Sequence, residues 1–220
     1  MMDMMQFSAD SPLLDEKTRE TMRGIFAKLN RNVTIKAVVD IKEEKSLEMA
    51  SFLRTLAELS SLITLELYAP SDGTDLGMDT EHLPATGLFL DGAYTGVSFH
   101  GVPGGKEINS FVIGIYNLAG PGQEISRAAV KKIGKLKRPA RIKICVSLAC
   151  HHCPGVVIAC QRIAMMSPLV EAGMYDANLY PDLVEKFKIE RVPLVIINDK
   201  DAFAGPRSIE DLTQLLFDAK

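Results

Sequence analysis

The sequence predicts an α/β protein in which a mixed β-sheet is covered by helices and the chain is built from two similar halves. Apolar runs rich in β-branched residues alternate with segments of helical periodicity, which is typical of strands separated by helices. A constant shift of 109 positions, the separation of Ile35 from Ile144, superimposes distant parts of the chain. Near the end of each half a proline precedes a strand and a short hairpin, which indicates antiparallel pairs in the sheet.

This internal repeat defines the expected domain organisation. Its anchors are Ile35 and Ile144, Pro84 and Pro193, and the segments GAYTG (92–96) and DAFAG (201–205). Because no gap separates the three anchors, they argue for duplication. We therefore expect one half at residues 1–119 and the other at residues 120–220.

The predicted elements follow the same order in both halves. In the first half they are a helix at 13–29, a strand at 33–40, a helix at 46–59, strands at 62–68 and 86–91, and a helix at 105–118. In the second half they are a helix at 122–136, a strand at 141–148, a helix at 153–166, strands at 172–177 and 194–198, and a helix at 208–218. The second half has one more predicted helix, YPDLVEKFK, where the first half has the polar loop APSDGTDLGMDTEH.

Composition excludes several classes of protein. A hydrophobic content of 47% is enough for a real core, and a formal net charge of -3 provides no positive field for nucleic acid or an anionic membrane. The N-terminus lacks a basic segment followed by an apolar run, and no apolar stretch is long enough to cross a bilayer. We therefore expect a soluble, unexported, cytoplasmic protein with no nucleic-acid or membrane partner.

The four cysteines fall within a single short segment of the second half. They are Cys145, Cys150, Cys153 and Cys160. A secreted disulfide scaffold distributes its cysteines along the chain, whereas a cluster in a reducing compartment is typical of a redox or metal site. The repeat aligns Cys150 and Cys153 with Ile41 and Glu44, so only the second half can cycle a disulfide. We expect Cys145 and Cys160 to be buried core thiols.

Cys150 and Cys153 enclose two histidines at the predicted start of a helix. Backbone N–H groups and the positive end of the helix dipole favour a thiolate there. We expect Cys150 to be the exposed nucleophile and the more buried Cys153 to resolve the mixed disulfide. His151 and His152 should stabilise the thiolate and tune the reduction potential, the alternative being exposed loop histidines without influence.

Val192-Pro193 forms the second part of the predicted site, directly before the strand LVIIN. In the redox interpretation the proline follows a cis peptide bond and packs beside the disulfide, which leaves the Val192 backbone free to pair with an extended substrate segment. The alternative is an ordinary trans proline bounding a strand. Its recurrence as Leu83-Pro84 predicts a structural role in both halves.

Several segments of the chain resemble a known family. They are SLACHHCPGVVIACQRIA, RVPLVIINDKDAFAG, LLDEKTRETMRGIFAKL and AELSSLITLEL. Together they resemble the N-terminal domain of the flavoprotein subunit of bacterial alkyl hydroperoxide reductase, from about Leu13 to Phe217. The resemblance implies two fused thioredoxin-like folds, of which only the second carries a CxxC pair. Archaeal protein disulfide oxidoreductases are similar more distantly, but they commonly carry a pair in both halves.

The resemblance also implies partners and one further site residue. The Cys150–Cys153 disulfide would receive electrons from a separate thioredoxin-reductase-like flavoprotein and pass them to a peroxiredoxin or another protein disulfide. We expect no bound cofactor beyond that disulfide, since no GxGxxG fingerprint follows a strand. Glu107, in GGKEINSFVIG, would face the cysteines and adjust thiol protonation. The alternative is an acidic residue of the kind favoured in any first helical turn.

Two other functions stay open at this stage. Cys150, Cys153 and the adjacent histidines could form a zinc or copper module, although four consecutive residues cannot all close one tetrahedron at a helix start. A third hypothesis is a binding module whose first half docks a partner and whose thiols are vestigial. Among these, thiol-disulfide oxidoreductase chemistry is the function that the sequence favours.

Overall fold

The computed structural model describes residues 1–219, which form seven α-helices and eight strands. The helices are α1 (Glu16–Phe26), α2 (Glu44–Ala57), α3 (Glu107–Ala119), α4 (Arg127–Ile133), α5 (Cys153–Met166), α6 (Pro181–Phe187) and α7 (Ile209–Asp218). The strands are β1 (Val33–Val38), β2 (Ile63–Tyr68), β3 (Ala85–Leu90), β4 (Ala93–His100), β5 (Ala140–Val146), β6 (Val170–Asp176), β7 (Leu194–Ile197) and β8 (Asp201–Ala204). The predicted mixed α/β class is confirmed.

All eight strands belong to one sheet, in the order β2-β1-β3-β4-β6-β5-β7-β8. The neighbour relations of the first four strands recur in the last four. The two sets join where β4 pairs in parallel with β6, in a register that places His100 beside Tyr175. Consequently β1, β2, β4, β5, β6 and β8 run in the same direction, while β3 and β7 run against them. The carboxyl ends of these six strands and the amino ends of the two opposing strands therefore meet at one edge of the sheet, here called the functional edge.

Helix boundaries follow local capping chemistry. The predicted helix at 153–166 is found with the same bounds as α5. The prediction of a helix at 122–136 is too long, because Ser126 caps α4 by accepting from the Ala129 N–H and Gly134 ends it. Gly122 lies at φ +73°, which an L side chain rarely adopts and which no helix contains. Other bounds differ from the predictions by only a few residues.

The helical face of the sheet carries one continuous core that extends through both halves. At its centre Phe111 of α3 packs edge-on against Phe52 of α2 and Phe99 of β4, with ring centroids 5.6 and 4.7 Å away. The opposite face carries two smaller clusters. One lies under α6 and the other under the loop that follows β2. Within residues 1–219 no helix is both long and apolar enough to span a membrane.

A polar network crosses the junction of the halves on that second face. We call it the His82 cluster; its members are Asp79, His82, His100, Tyr175, Tyr180 and Asp182. His82 Nδ1 lies 3.0 Å from Asp79 Oδ2, and its Nε2 lies 3.1 Å from Asp182 Oδ2 on α6. Tyr175 donates to the same Asp79 oxygen at 2.9 Å. The loop after β2 is thereby tied to the second half.

Aromatic packing surrounds the cluster. The His100 ring stacks on Tyr175 with centroids 4.1 Å apart, and burial lowers the pKa of His100 to about 4. Tyr180 donates to the His82 carbonyl oxygen at 3.3 Å. Hydrogen bonds to Asp79, with a further contribution from Asp182, raise the pKa of His82. The two carboxylates therefore favour the protonated form of His82.

The His82 cluster predicts a pH-dependent contribution to stability. A raised folded-state pKa stabilises the fold fully below the ordinary value of 6.5, and that contribution is lost as the pH rises through the raised value. Over this interval we expect the free energy of unfolding of the wild-type protein to fall relative to that of His82→Gln. Urea unfolding at a series of pH values measures the difference. Parallel curves for the two proteins would contradict the assignment.

Candidate active site

The cysteine pair lies at the functional edge, between β5 and α5. The Cys150 N–H donates to the Ser147 carbonyl at 2.9 Å, which folds the connecting turn. Cys150 is partly exposed, whereas Cys153, the first residue of α5, is fully buried. Both are free thiols, as are Cys145 and Cys160. The predicted order of exposure is confirmed, while the roles of nucleophile and resolving thiol stay predictions.

Cys153 is held in its thiol form by its surroundings. Burial raises its pKa most, followed by a hydrogen bond with Cys150, and the negative charge of Glu107 adds to the effect. A thiol that resists ionisation does not compete with its partner as the attacking group. The environment of Cys153 therefore suits a group that reacts second and needs a proton acceptor to do so.

A cis peptide bond joins Val192 to Pro193 beside the cysteines, as the redox interpretation requires. The Cys150 thiol lies 3.9 Å from the Val192 carbonyl oxygen, within hydrogen-bond reach for sulfur. Pro193 is buried at the entry to β7, and its own carbonyl accepts from the Gly205 N–H at 2.8 Å. Val192 is half-buried. Its pairing with a substrate segment stays a prediction.

The repeat predicts an equivalent proline in the first half, and the structure has one. Leu83-Pro84 is also cis, and the Pro84 carbonyl accepts from the Gly101 N–H at 2.9 Å. Both prolines thus enter a strand at the functional edge and bond to a glycine in the same way. The structural role expected in both halves is confirmed.

Glu107 is the first residue of α3 and is completely buried. Ser110 Oγ donates to Glu107 Oε2, while Oε1 has no hydrogen-bond partner among the described residues. Burial is the main reason that the pKa of Glu107 rises to about 7, and the charge of Asp176 raises it further. Since Glu107 also acts on the pKa of Cys153, the two groups are electrostatic neighbours.

Backbone contact brings the Glu107 segment to the cysteine loop. The Lys106 N–H donates to the Leu148 carbonyl at 2.8 Å. Gly105 adopts φ +54°, and a Cβ there would lie 2.5 Å from the same carbonyl oxygen. Only glycine fits this approach without displacing the loop that leads into Cys150. The first half thus contributes directly to the surroundings of the cysteines.

The remaining predicted residues divide into two groups. His151 and His152 are exposed, and His152 caps α5 without a side-chain hydrogen bond. Their tuning of the reduction potential stays a prediction. Cys145 and Cys160 are buried, and burial raises the pKa of both thiols, that of Cys145 to about 12. Their assignment to the core is confirmed. No group of three or more His, Cys, Asp or Glu side chains in residues 1–219 is arranged to hold a metal ion.

Sequence reasoning missed one residue of this edge. Asp176 ends β6 and is buried beside β5, the strand that leads to the cysteines. A charged residue directly after the apolar run AGMY (172–175) was the available signal. The position of Asp176 beside the cysteine strand depends on the order of the strands in the sheet, and a local sequence pattern does not reveal that order.

A CxxC pair at the start of a helix, set beside a cis proline in a mixed sheet, defines an oxidoreductase of the thioredoxin superfamily. Residues 140–217 match the Thioredoxin_3 family model, described as a thioredoxin domain. The solved NTD_N/C domain of alkylhydroperoxide reductase AhpF from Enterococcus faecalis is 39% identical, with a TM-score of 0.86 over 92% of this chain and 99% of that one. The chain therefore belongs to the family of AhpF N-terminal domains.

Two more distant proteins are similar to this chain, one in sequence and one in fold. The alkyl hydroperoxide reductase AhpF protein of Pseudomonas putida is 28% identical over 91% of this chain, which corresponds to 36% of that protein. The chain thus spans about a third of the length of the curated relatives it matches. A protein disulfide oxidoreductase from Aeropyrum pernix has a similar fold, with a TM-score of 0.82 at 20% identity over 98% of this chain and 93% of that one.

The close approach at Gly105 predicts an unusually costly substitution. We expect Gly105→Ala to destabilise the protein by about 1–3 kcal/mol, because alanine is strained at this backbone conformation and its Cβ would meet the Leu148 carbonyl. Gly24→Ala is the matched control, since Gly24 is an exposed helix residue with nothing within 4 Å. The control should stabilise by up to about 1 kcal/mol. Equal unfolding free energies for the two variants in urea would rule out the proposed close fit.

Proposed function

We propose that this chain transfers electrons by dithiol-disulfide exchange through Cys150 and Cys153. It would take them from a thioredoxin-reductase-like flavoprotein and give them to a protein disulfide such as that of a peroxiredoxin. The observation that carries this proposal is the partly exposed Cys150 above a fully buried Cys153, beside the cis Val192-Pro193 bond. Membership of the AhpF N-terminal domain family supports the same chemistry.

The division of the chain into two thioredoxin-like folds is part of this proposal. We assign two fused thioredoxin-like folds, at residues 1–119 and 120–220, and only the second has a redox pair. Lys220 lies outside the described residues. The recurring strand order, the two equivalent cis prolines and the end of α3 at Ala119 support this division.

The exchange proceeds in two attacks. The Cys150 thiolate attacks one sulfur of the substrate disulfide, so that a mixed disulfide forms and the other substrate sulfur leaves as a thiolate. Cys153 then loses its proton and attacks the Cys150 sulfur, and the second substrate thiolate leaves. The substrate gains two electrons while Cys150 and Cys153 become a disulfide. The start of α5 favours negative charge at this point of the fold.

Glu107 is proposed to manage the proton of Cys153. A carboxyl group whose pKa is about 7 can accept a proton and return it at neutral pH. Cys153 needs such a partner because its own surroundings oppose ionisation. Glu107 would therefore accept the proton when Cys153 attacks and donate it when the disulfide is reduced.

In this proposal the flavin belongs to the electron-donating flavoprotein and does not bind to residues 1–219. No strand is followed by a GxGxxG turn into a helix, so residues 1–219 offer no such cradle for a dinucleotide. The donor's thiolate would attack the Cys150–Cys153 disulfide at the more exposed sulfur. The backbone of Val192 would align the incoming segment by pairing with it as an added strand.

Cysteine variants test the proposal directly. In glutathione and dithiothreitol buffers we expect a reversible two-electron couple in the range of roughly -180 to -270 mV. Cys150→Ser should abolish it, whereas Cys153→Ser should accumulate a mixed disulfide that mass spectrometry detects. Cys160→Ala, which changes a buried thiol elsewhere on α5, should keep the couple. If the wild-type thiols form no reversible disulfide, or if stoichiometric metal blocks them, the metal module becomes the better hypothesis.

A further inference from the structure

Asp176 lies at the functional edge between the two segments that build the site. It is the last residue of β6 and pairs with Val146 at the end of β5, while the next residue, Ala177, donates its N–H to the Val146 carbonyl at 2.9 Å. On its other side is Gly101, where a Cβ would come within 3.1 Å of Asp176 Cβ. Asp176 thus stands between the strand that leads to the cysteines and the segment that leads to Glu107.

The carboxylate of Asp176 has little to balance its charge. The side chain is buried, and Oδ1 accepts from the backbone and side-chain N–H groups of Asn178 at 3.0 and 3.3 Å. The cation that acts on it is Lys45, whose ammonium is bound by Glu48 at 2.5 Å. Burial raises the pKa of Asp176. Negative charge at this position is therefore poorly compensated.

Glu107 and Asp176 form an interacting pair of buried carboxyl groups. The negative charge of Asp176 raises the pKa of Glu107, and one oxygen of Glu107 has no hydrogen-bond partner among the described residues. Two such groups that share a buried region resist simultaneous ionisation, so the negative charge of one favours a proton on the other. The other titratable groups facing the pair are Cys150, Cys153, Lys45, Glu48 and Tyr180.

We propose that Asp176 is a positioning residue for the redox reaction: its carboxylate retains a proton on Glu107, which delivers that proton to Cys153 when the disulfide is reduced. The inference rests on the proposed dithiol-disulfide exchange. A cavity of about 170 Å³ beside Asp176, lined also by Gly104, Leu148, Lys45 and Glu48, gives that carboxyl group access to protons from solvent.

A donor thiolate attacks Cys150 Sγ and forms a new S–S bond, while the Cys150–Cys153 bond breaks and its electron pair goes to Cys153 Sγ. The proton of Glu107 moves to that sulfur, which becomes a thiol, and Glu107 becomes a carboxylate. Two neighbouring carboxylates then favour uptake of a proton from water, which restores Glu107. In the reverse direction Glu107 accepts the Cys153 proton.

The pH profile of disulfide reduction tests the proposal. Stopped-flow reduction by dithiothreitol, corrected for the thiolate fraction of the reductant, is measured for wild type, Asp176→Asn, Glu107→Gln and the double variant. Wild type should show an inflection from Glu107, and Asp176→Asn should move it to lower pH by about half a unit or more, because one negative charge is removed. Glu107→Gln and the double variant should both lack it. Asp201→Asn, which removes an exposed charge from β8, is the control and should leave the profile unchanged.

Each other outcome has a defined meaning. An unshifted inflection in Asp176→Asn would overturn the role of Asp176. So would an equal change in the rate of disulfide reduction when Asp176→Asn is introduced into wild type and into Glu107→Gln, because that marks a purely structural effect. Should Asp176→Asn not fold, carbon-detected NMR titration of the wild-type carboxyl groups decides. If each carboxyl group titrates in two steps that reflect the ionisation of the other, the interaction of Glu107 with Asp176 is supported. If each follows an independent single-step curve, it is rejected. Failure of the proposed function is separate, because the wild-type thiols would then form no reversible disulfide at all.

Discussion

The parallel pairing of β4 with β6 is the constraint on which the rest of the structure depends. It makes one sheet out of two sets of four strands, and it fixes a common direction for the strands whose carboxyl ends carry chemistry. The cysteine turn after β5, Asp176 after β6 and the segment after β4 that leads to Glu107 all reach the same edge for this reason. Had β4 and β6 paired in antiparallel fashion, the first-half segment would emerge at the far edge of the sheet.

Much of the fold and the centre of the site could be predicted because their signals are local. Apolar periodicity indicated the helices and strands, and it predicted the bounds of α5, at whose start the cysteine pair lies. The predicted extent of α4 was wrong because the helix begins only after its N-cap, Ser126, although the helical pattern in the sequence starts earlier. Asp176 and the His82 cluster were missed for another reason. Their roles arise from burial and from neighbours distant in sequence, which only the strand order brings together.

Both titratable clusters lie where the halves meet, and this position has a physical basis. A small domain has little interior in which to bury a carboxyl group, and burying a charge without partners is expensive. Glu107 becomes fully buried because the first half supplies the helix while the second supplies the loop at Leu148 and the strand end at Asp176. His82 likewise comes from the first half and one of its two carboxylate partners from the second. Perturbed protonation in this protein thus arises from contacts between residues before and after position 119.

Residues 1–119 contain no cysteine, and this affects the order in which electrons can be transferred. In the proposed exchange the Cys150–Cys153 pair holds either two electrons or none, and both its donor and its acceptor must reach the partly exposed sulfur of Cys150. The electron donor and the electron acceptor would therefore compete for the same binding site and would react with it alternately. In the proposed exchange, turnover would follow a ping-pong order, and a large excess of either partner would slow it by occupying the site in the wrong phase of the cycle.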